Sequence, residues 1–196
     1  MTPAPGRPAR REDLGALLAA ADREVPRAVV VWLVGDTSQL WQGWLDRVAA
    51  VHLATNDAAA RDTLSAASGR LGLGLTLESP GDVIPLPAGH ADRQRPVAGV
   101  PDRFRHFDPY SFTFRGLARG DEPDYRTAVR FLRHGWMTLE EMDRLLEETL
   151  PRFTRETIAQ DPAELRRKYR GLTQMWRAER LPDRRHRGPM GQPDCG

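Results

Sequence analysis

The chain contains a single cysteine, Cys195, and a single lysine, Lys168. One thiol closes no disulfide within the chain, so the fold must rest on packing, and a reducing compartment is the expectation. No apolar run reaches the ~20 residues needed to span a bilayer. The opening MTPAPGRPARRED carries no signal-peptide core. A cytoplasmic protein without membrane contact is expected. The lack of lysine makes almost all positive charge guanidinium. With 29 Lys+Arg against 27 Asp+Glu, the net charge is +2. That excludes a general basic coat for nucleic acid, so any such site must be a local patch. Planar guanidinium grips phosphate bidentately, so the arginine bias reads either as phosphate recognition or as base composition of the gene.

A chain of 196 residues suffices for one domain, or for a core with a helical appendage. A domain of this size buries roughly 70% of its unfolded surface and needs no structural metal. Residues 1–11, rich in Pro, Arg and Ala, read as a disordered arm. Leu14, Leu17, Leu18 and Ala21 follow helical spacing up to Pro26. The run Ala28–Val34, AVVVWLV, fits a central strand buried on both faces. A short helix over Thr37–Asp46, a strand over Ala49–Ala54, a helix over Ala58–Arg70 and a strand over Leu73–Leu77 follow. Ser79–Ala98 reads as loop with a short strand at Val83–Leu86, and residues 97–107 as a strand pair around Pro101 and Asp102.

From Asp108 the pattern turns helical. Asp108-Pro109 is a cap followed by proline at the first helical position, and Gly120 closes that helix. Asp121 or Glu122 with Pro123 opens the next, whose Tyr125, Ala128, Val129 and Leu132 share a face. Thr138-Leu-Glu-Glu141 is a capping box ahead of Leu139, Met142, Leu145 and Leu146. Asp161-Pro-Ala-Glu164 repeats the device before Leu165, Tyr169, Leu172 and Trp176. Residues 181–196 read as a flexible Arg/Pro/Gly tail. The expected fold is an α/β core over 12–107, a small mixed sheet with flanking helices, followed by a helical region over 108–180 packed on that core. No linker divides the two, which leaves one shared core or two domains open.

Three stretches carry a family resemblance. Strand Val29–Val34 runs into Gly35-Asp36-Thr37-Ser38; Ser79-Pro-Gly-Asp-Val-Ile-Pro-Leu-Pro follows; and Ser111, Arg119, Gly120 and Asp124 punctuate HFDPYSFTFRGLARGDEPDYRTAVRFL. Together they resemble minimal nucleotidyltransferase-fold proteins, in particular a bacterial group related to abortive-infection type toxins. The resemblance spans roughly residues 28–170. It implies a nucleotidyltransferase-like core, with Gly35, Thr37, Ser38, Arg115 and Arg119 as the ligand- and phosphate-binding set, since a strand-to-helix turn offers amide donors to phosphate. It also implies two carboxylates alternating on the second strand to hold Mg²⁺, but those places hold Ala50 and His52. The lysine of the C-terminal signature is replaced by Gly116, and its second aspartate by Thr127.

The resemblance with these departures implies a catalytically degenerate protein that acts by binding, without cofactor or metal. Its partner would be a nucleic acid, a nucleotide or another protein. The alternative is an active, toxin-like, Mg²⁺-dependent nucleotidyltransferase modifying RNA or protein, its carboxylates drawn from Asp36, Asp46, Asp57 or Asp124. A third reading is an antitoxin-like or scaffold protein without a ligand. Trp41 and Trp44, three apart, read either as half-buried packing or as contacts for a base or a partner's pocket. Arg184, Arg185 and Arg187 read as a solubilising end or as a nucleic-acid arm. Histidines 52, 90, 106, 134 and 186 include no i, i+4 pair and no neighbouring cysteine, which argues against zinc.

Overall fold

The computed structural model describes residues 6–81, 84–153 and 161–180. It shows a small mixed five-stranded sheet with flanking helices, followed by a helical C-terminal part. The α/β part comprises α1 (Arg11–Glu24), β1 (Val31–Leu33), α2 (Asp36–Trp41), β2 (Val51–Ala54), α3 (Ala58–Arg70), β3 (Leu75–Glu78), β4 (Arg95–Pro96) and β5 (Phe104–His106). The helical part comprises α4 (Pro109–Arg119), α5 (Glu122–Arg133), α6 (Leu139–Thr149) and α7 (Pro162–Arg180).

The sheet order is β3-β2-β1-β5-β4. Strand β1 runs antiparallel to β2 and parallel to β5, while β3 lies parallel to β2 and β4 antiparallel to β5. Because side chains alternate across a strand, the two faces feed different cores. Val31, Leu33, Val51, Leu53 and Phe104 pack with α1 and α3. Val34, Ala54 and Phe107 pack instead with α4, α5, α6 and α7. The helical part therefore covers one side of the sheet.

Helix boundaries follow local chemistry. Asp57 caps α3 by accepting from the Ala60 amide at 2.7 Å. Asp108 caps α4, Pro109 occupies its first turn, and Gly120 at φ +86° ends it in the left-handed region. Thr138 accepts from the Glu141 amide at the start of α6. Nearly every residue of α4 is buried, from Pro109 to Ala118, because sheet and helices enclose it.

Several expectations are corrected. The segment read as a disordered arm is pinned from residue 7: Arg7 bridges to Leu73, Ala9 bridges to Val48, and Ala9 is fully buried. The first strand is shorter than its apolar run because a turn after Pro26 takes up Val29, whose amide donates to Pro26. The third strand starts later because the Leu73 amide still donates to Ser68 at the end of α3. Residues 84–86 form no strand, and Val83 lies outside the described residues. The helix expected through Asp46 stops at Trp41, ahead of Gly43 at φ +74°. No described helix is long and apolar enough to cross a membrane.

Candidate functional site

The side chains at the junction of β2, β3 and α4 form one ion cluster. His52 sits on β2 and Glu78 ends β3, both out of phase with Val51 and Leu53, which face α1 and α3. Arg115 reaches the same point from α4. Its Nη2 lies 2.6 Å from Glu78 Oε2, His52 Nε2 lies 3.1 Å away without being aligned as a hydrogen bond, and Arg119 Nη1 lies 3.9 Å away. Three nitrogen-bearing side chains thus converge on a single carboxylate oxygen. Burial alone would push the Glu78 carboxyl up, but His52 and Arg115 override it and hold it down to about 2.

The cluster is incompletely matched. Arg115 is 2% exposed, yet among the described residues its Nε and Nη1 have no hydrogen-bond partner, and neither has Glu78 Oε1. Buried polar groups are normally paired, so these atoms mark the cluster as unusual. Beside it, Arg119 donates to Asp124 Oδ2 through Nη2 at 3.0 Å and Nε at 3.3 Å. This is the pairing of Arg119 with Asp124 that would tie the first two helices of the helical part together.

The other expected site residues lie elsewhere. Gly35 adopts φ +52°, and a Cβ there would fall 2.6 Å from the Phe112 ring. The turn is therefore covered by an aromatic ring from α4. Thr37 and Ser38 are buried and engaged: the Thr37 hydroxyl accepts from the His52 amide at 2.7 Å, and the Ser38 hydroxyl donates to the Leu33 carbonyl at 2.8 Å. Asp36 accepts from the Thr127 hydroxyl and faces Arg130 at 3.4 Å, which fastens α2 to α5. Asp46 is exposed in a recess with Arg10, Arg11 and Arg47. Asp57 is the α3 cap. The four aspartates thus lie in four separate places and do not converge. Among the described residues no three His, Cys, Asp or Glu side chains form a group able to hold a metal ion.

Gly116 has a steric role. A Cβ there would fall 2.6 Å from Asp124 Cβ, so α4 and α5 meet at this residue and no lysine side chain fits. Ser111 donates its hydroxyl to Asp108 Oδ2 at 2.7 Å, and that fully buried carboxylate also pairs with Arg93 at 2.9 Å. Trp41 and Trp44 are both half-buried and diverge. Trp41 donates to the Ala98 carbonyl under Arg11. Trp44, beyond the end of α2, stacks on His134 with centroids 3.9 Å apart and meets Trp136 edge to face. Arg184, Arg185 and Arg187 lie outside the described residues.

Glu78 is the residue that sequence reasoning missed. Its signal is the alternation Leu75-Thr-Leu-Glu78, which puts the carboxylate on the polar phase of the strand. Comparison with protein-family models, with curated proteins and with solved structures found no match.

Proposed function

We propose that this chain is a nucleotidyltransferase-like protein that acts by binding and does not transfer nucleotides. The observation that carries the reading is the engagement of Glu78 by Arg115, His52 and Arg119. Mg²⁺ at a phosphoryl-transfer site is held by carboxylate oxygens at about 2.0–2.1 Å together with substrate phosphates. Here Ala50, just ahead of β2, and His52 on it stand at the places the resemblance assigns to those oxygens. The neighbouring carboxylate already neutralises a buried guanidinium. A cation placed on Glu78 would have to displace Arg115 and leave its charge buried without a counter-ion, at a cost of several kcal/mol. These residues do not fit Mg²⁺.

The partner is a nucleic acid, a nucleotide or a protein. Transfer assays with each of the four labelled nucleoside triphosphates, in Mg²⁺ or Mn²⁺ and with RNA and protein acceptors, test the reading. No incorporation is expected. Robust incorporation that is lost in Asp46→Ala or Asp57→Ala would overturn it and move the site to the aspartates outside the cluster.

A further inference from the structure

The Glu78 cluster holds more donors than its carboxylate engages. Arg115 presents Nη2 to Glu78 Oε2 at 2.6 Å and lies over the Phe107 ring, while its Nε and Nη1 are buried without a hydrogen-bond partner among the described residues. His52 Nε2 and Arg119 Nη1 lie 3.1 and 3.9 Å from that same oxygen. The second carboxylate oxygen, Oε1, is buried and accepts no hydrogen bond among the described residues. One oxygen thus faces three side chains, and two guanidinium nitrogens are left over. A tetrahedral oxyanion has more oxygens to distribute and accepts bidentate guanidinium contacts. The donor set matches that anion better than the planar group that now fills it.

We propose that Glu78 is a built-in occupant of an anion pocket formed by His52, Arg115 and Arg119, and that the pocket takes a phosphate-type oxyanion when the carboxylate leaves. This inference rests on the binding reading above and names the ligand chemistry and its control. The placement of Glu78 allows such an exchange. It is the last residue of β3, which is at the edge of the sheet and pairs only with β2 among the described strands. Gly81, three residues on, turns the chain at φ +83°. The Glu78 side chain is 14% exposed and Arg119 30%, so the pocket reaches solvent on the Arg119 side. The charge balance also fits. Arg115 and Arg119 face Glu78 and Asp124, and removing Glu78 leaves one guanidinium charge for an incoming anion to neutralise. In the resting protein the carboxylate competes with any such ligand at an effective concentration no free anion matches.

The test is anion rescue of the full-length protein. Glu78→Ala and the near-isosteric Glu78→Gln are compared with wild type by thermal unfolding and titration calorimetry, using inorganic phosphate against chloride and acetate at equal ionic strength. A ligand that binds only the folded state raises its stability in proportion to occupancy. Phosphate is expected to bind the Glu78 variants at least about tenfold more tightly than wild type. Phosphate should also raise their melting temperatures more than acetate does, and an added Arg119→Ala should reverse both effects. If Glu78→Ala is unfolded in chloride, refolding on addition of phosphate supports the pocket. Tighter binding of adenosine monophosphate than of phosphate would assign the anion to a nucleotide, and equal binding to a free ion. The proposal is overturned if both variants respond to phosphate no more than to chloride or acetate, or if the response survives Arg119→Ala. Such a result, with no nucleotide transfer by wild type, would remove the pocket and leave the binding reading standing.

Discussion

Gly116 on α4 and Asp124 on α5 are packed so closely that a single methyl group on the glycine would lie 2.6 Å from the aspartate Cβ. The ion pair between Asp124 and Arg119 is therefore part of a helix crossing that permits no side chain at residue 116. Gly116→Ala is expected to destabilise the protein by about 1–3 kcal/mol through overpacking, despite the gain in helix propensity. Denaturant unfolding checks this, and a neutral or stabilised variant would show that the crossing opens freely. Asp124→Ala should cost less, about 1 kcal/mol or below, since Arg119 and Asp124 are partly exposed.

Leu132 faces the same helical core and is 6% exposed. Leu132→Ala should cost ~2–5 kcal/mol, the lost transfer free energy plus the cavity left behind. A cost under ~1 kcal/mol would mean that α5 does not pack through this face.

The Phe112 ring over Gly35 gives a second steric prediction. Gly35→Ala meets both the ring and a backbone at φ +52° that L side chains rarely adopt. A loss of roughly 2–4 kcal/mol is expected. Adding Phe112→Leu should recover only the steric share, so a double-mutant cycle with no coupling would contradict the contact.

His106 links stability to pH. Burial pushes its imidazole down from 6.5 to about 4, and the charge of Arg95 acts in the same direction. Gln42 Nε2 lies 3.0 Å from its Nε2, Trp136 meets the ring edge to face, and its Nδ1 has no hydrogen-bond partner among the described residues. The unfolded chain takes up this proton below about 6.5 and the folded one only near 4. The stabilising contribution is therefore complete above the upper value and lost as pH falls through the window. The loss is about 3 kcal/mol at ~1.4 kcal/mol per unit. His106→Gln should flatten the slope between pH 6.5 and 4, and an unchanged slope would refute the assignment.

The helices were more legible than the strands, and the site less than either. Asp108-Pro109, Gly120 and Thr138 mark helix ends by local chemistry that acts within three residues, so one sequence suffices to read them. The length of β1 depends on how the chain turns after Pro26, and β4 has only two residues, too few for any periodicity. The cluster draws on residues 52, 78, 115 and 119. His52 meets Glu78 through the parallel register of β2 and β3, in which Ala54 is opposite Glu78. Arg115 meets them only because α4 crosses the sheet with that side inward. Neither register nor crossing is written in local spacing. Hence Arg115 and Arg119 were noticed as cations while the carboxylate between them was not.

The enclosure of α4 has a consequence for synthesis. Residues up to 107 supply all five described strands, yet Val34, Ala54 and Phe107 belong to a core drawn mostly from helices that follow in sequence. At about 5–20 residues per second, the stretch 108–180 emerges over several seconds, during which one face of the sheet lacks most of its cover. The nascent α/β part is thus most exposed to aggregation just before α4 docks. Truncations ending near residue 107 should depend on chaperones in a way that the complete chain does not.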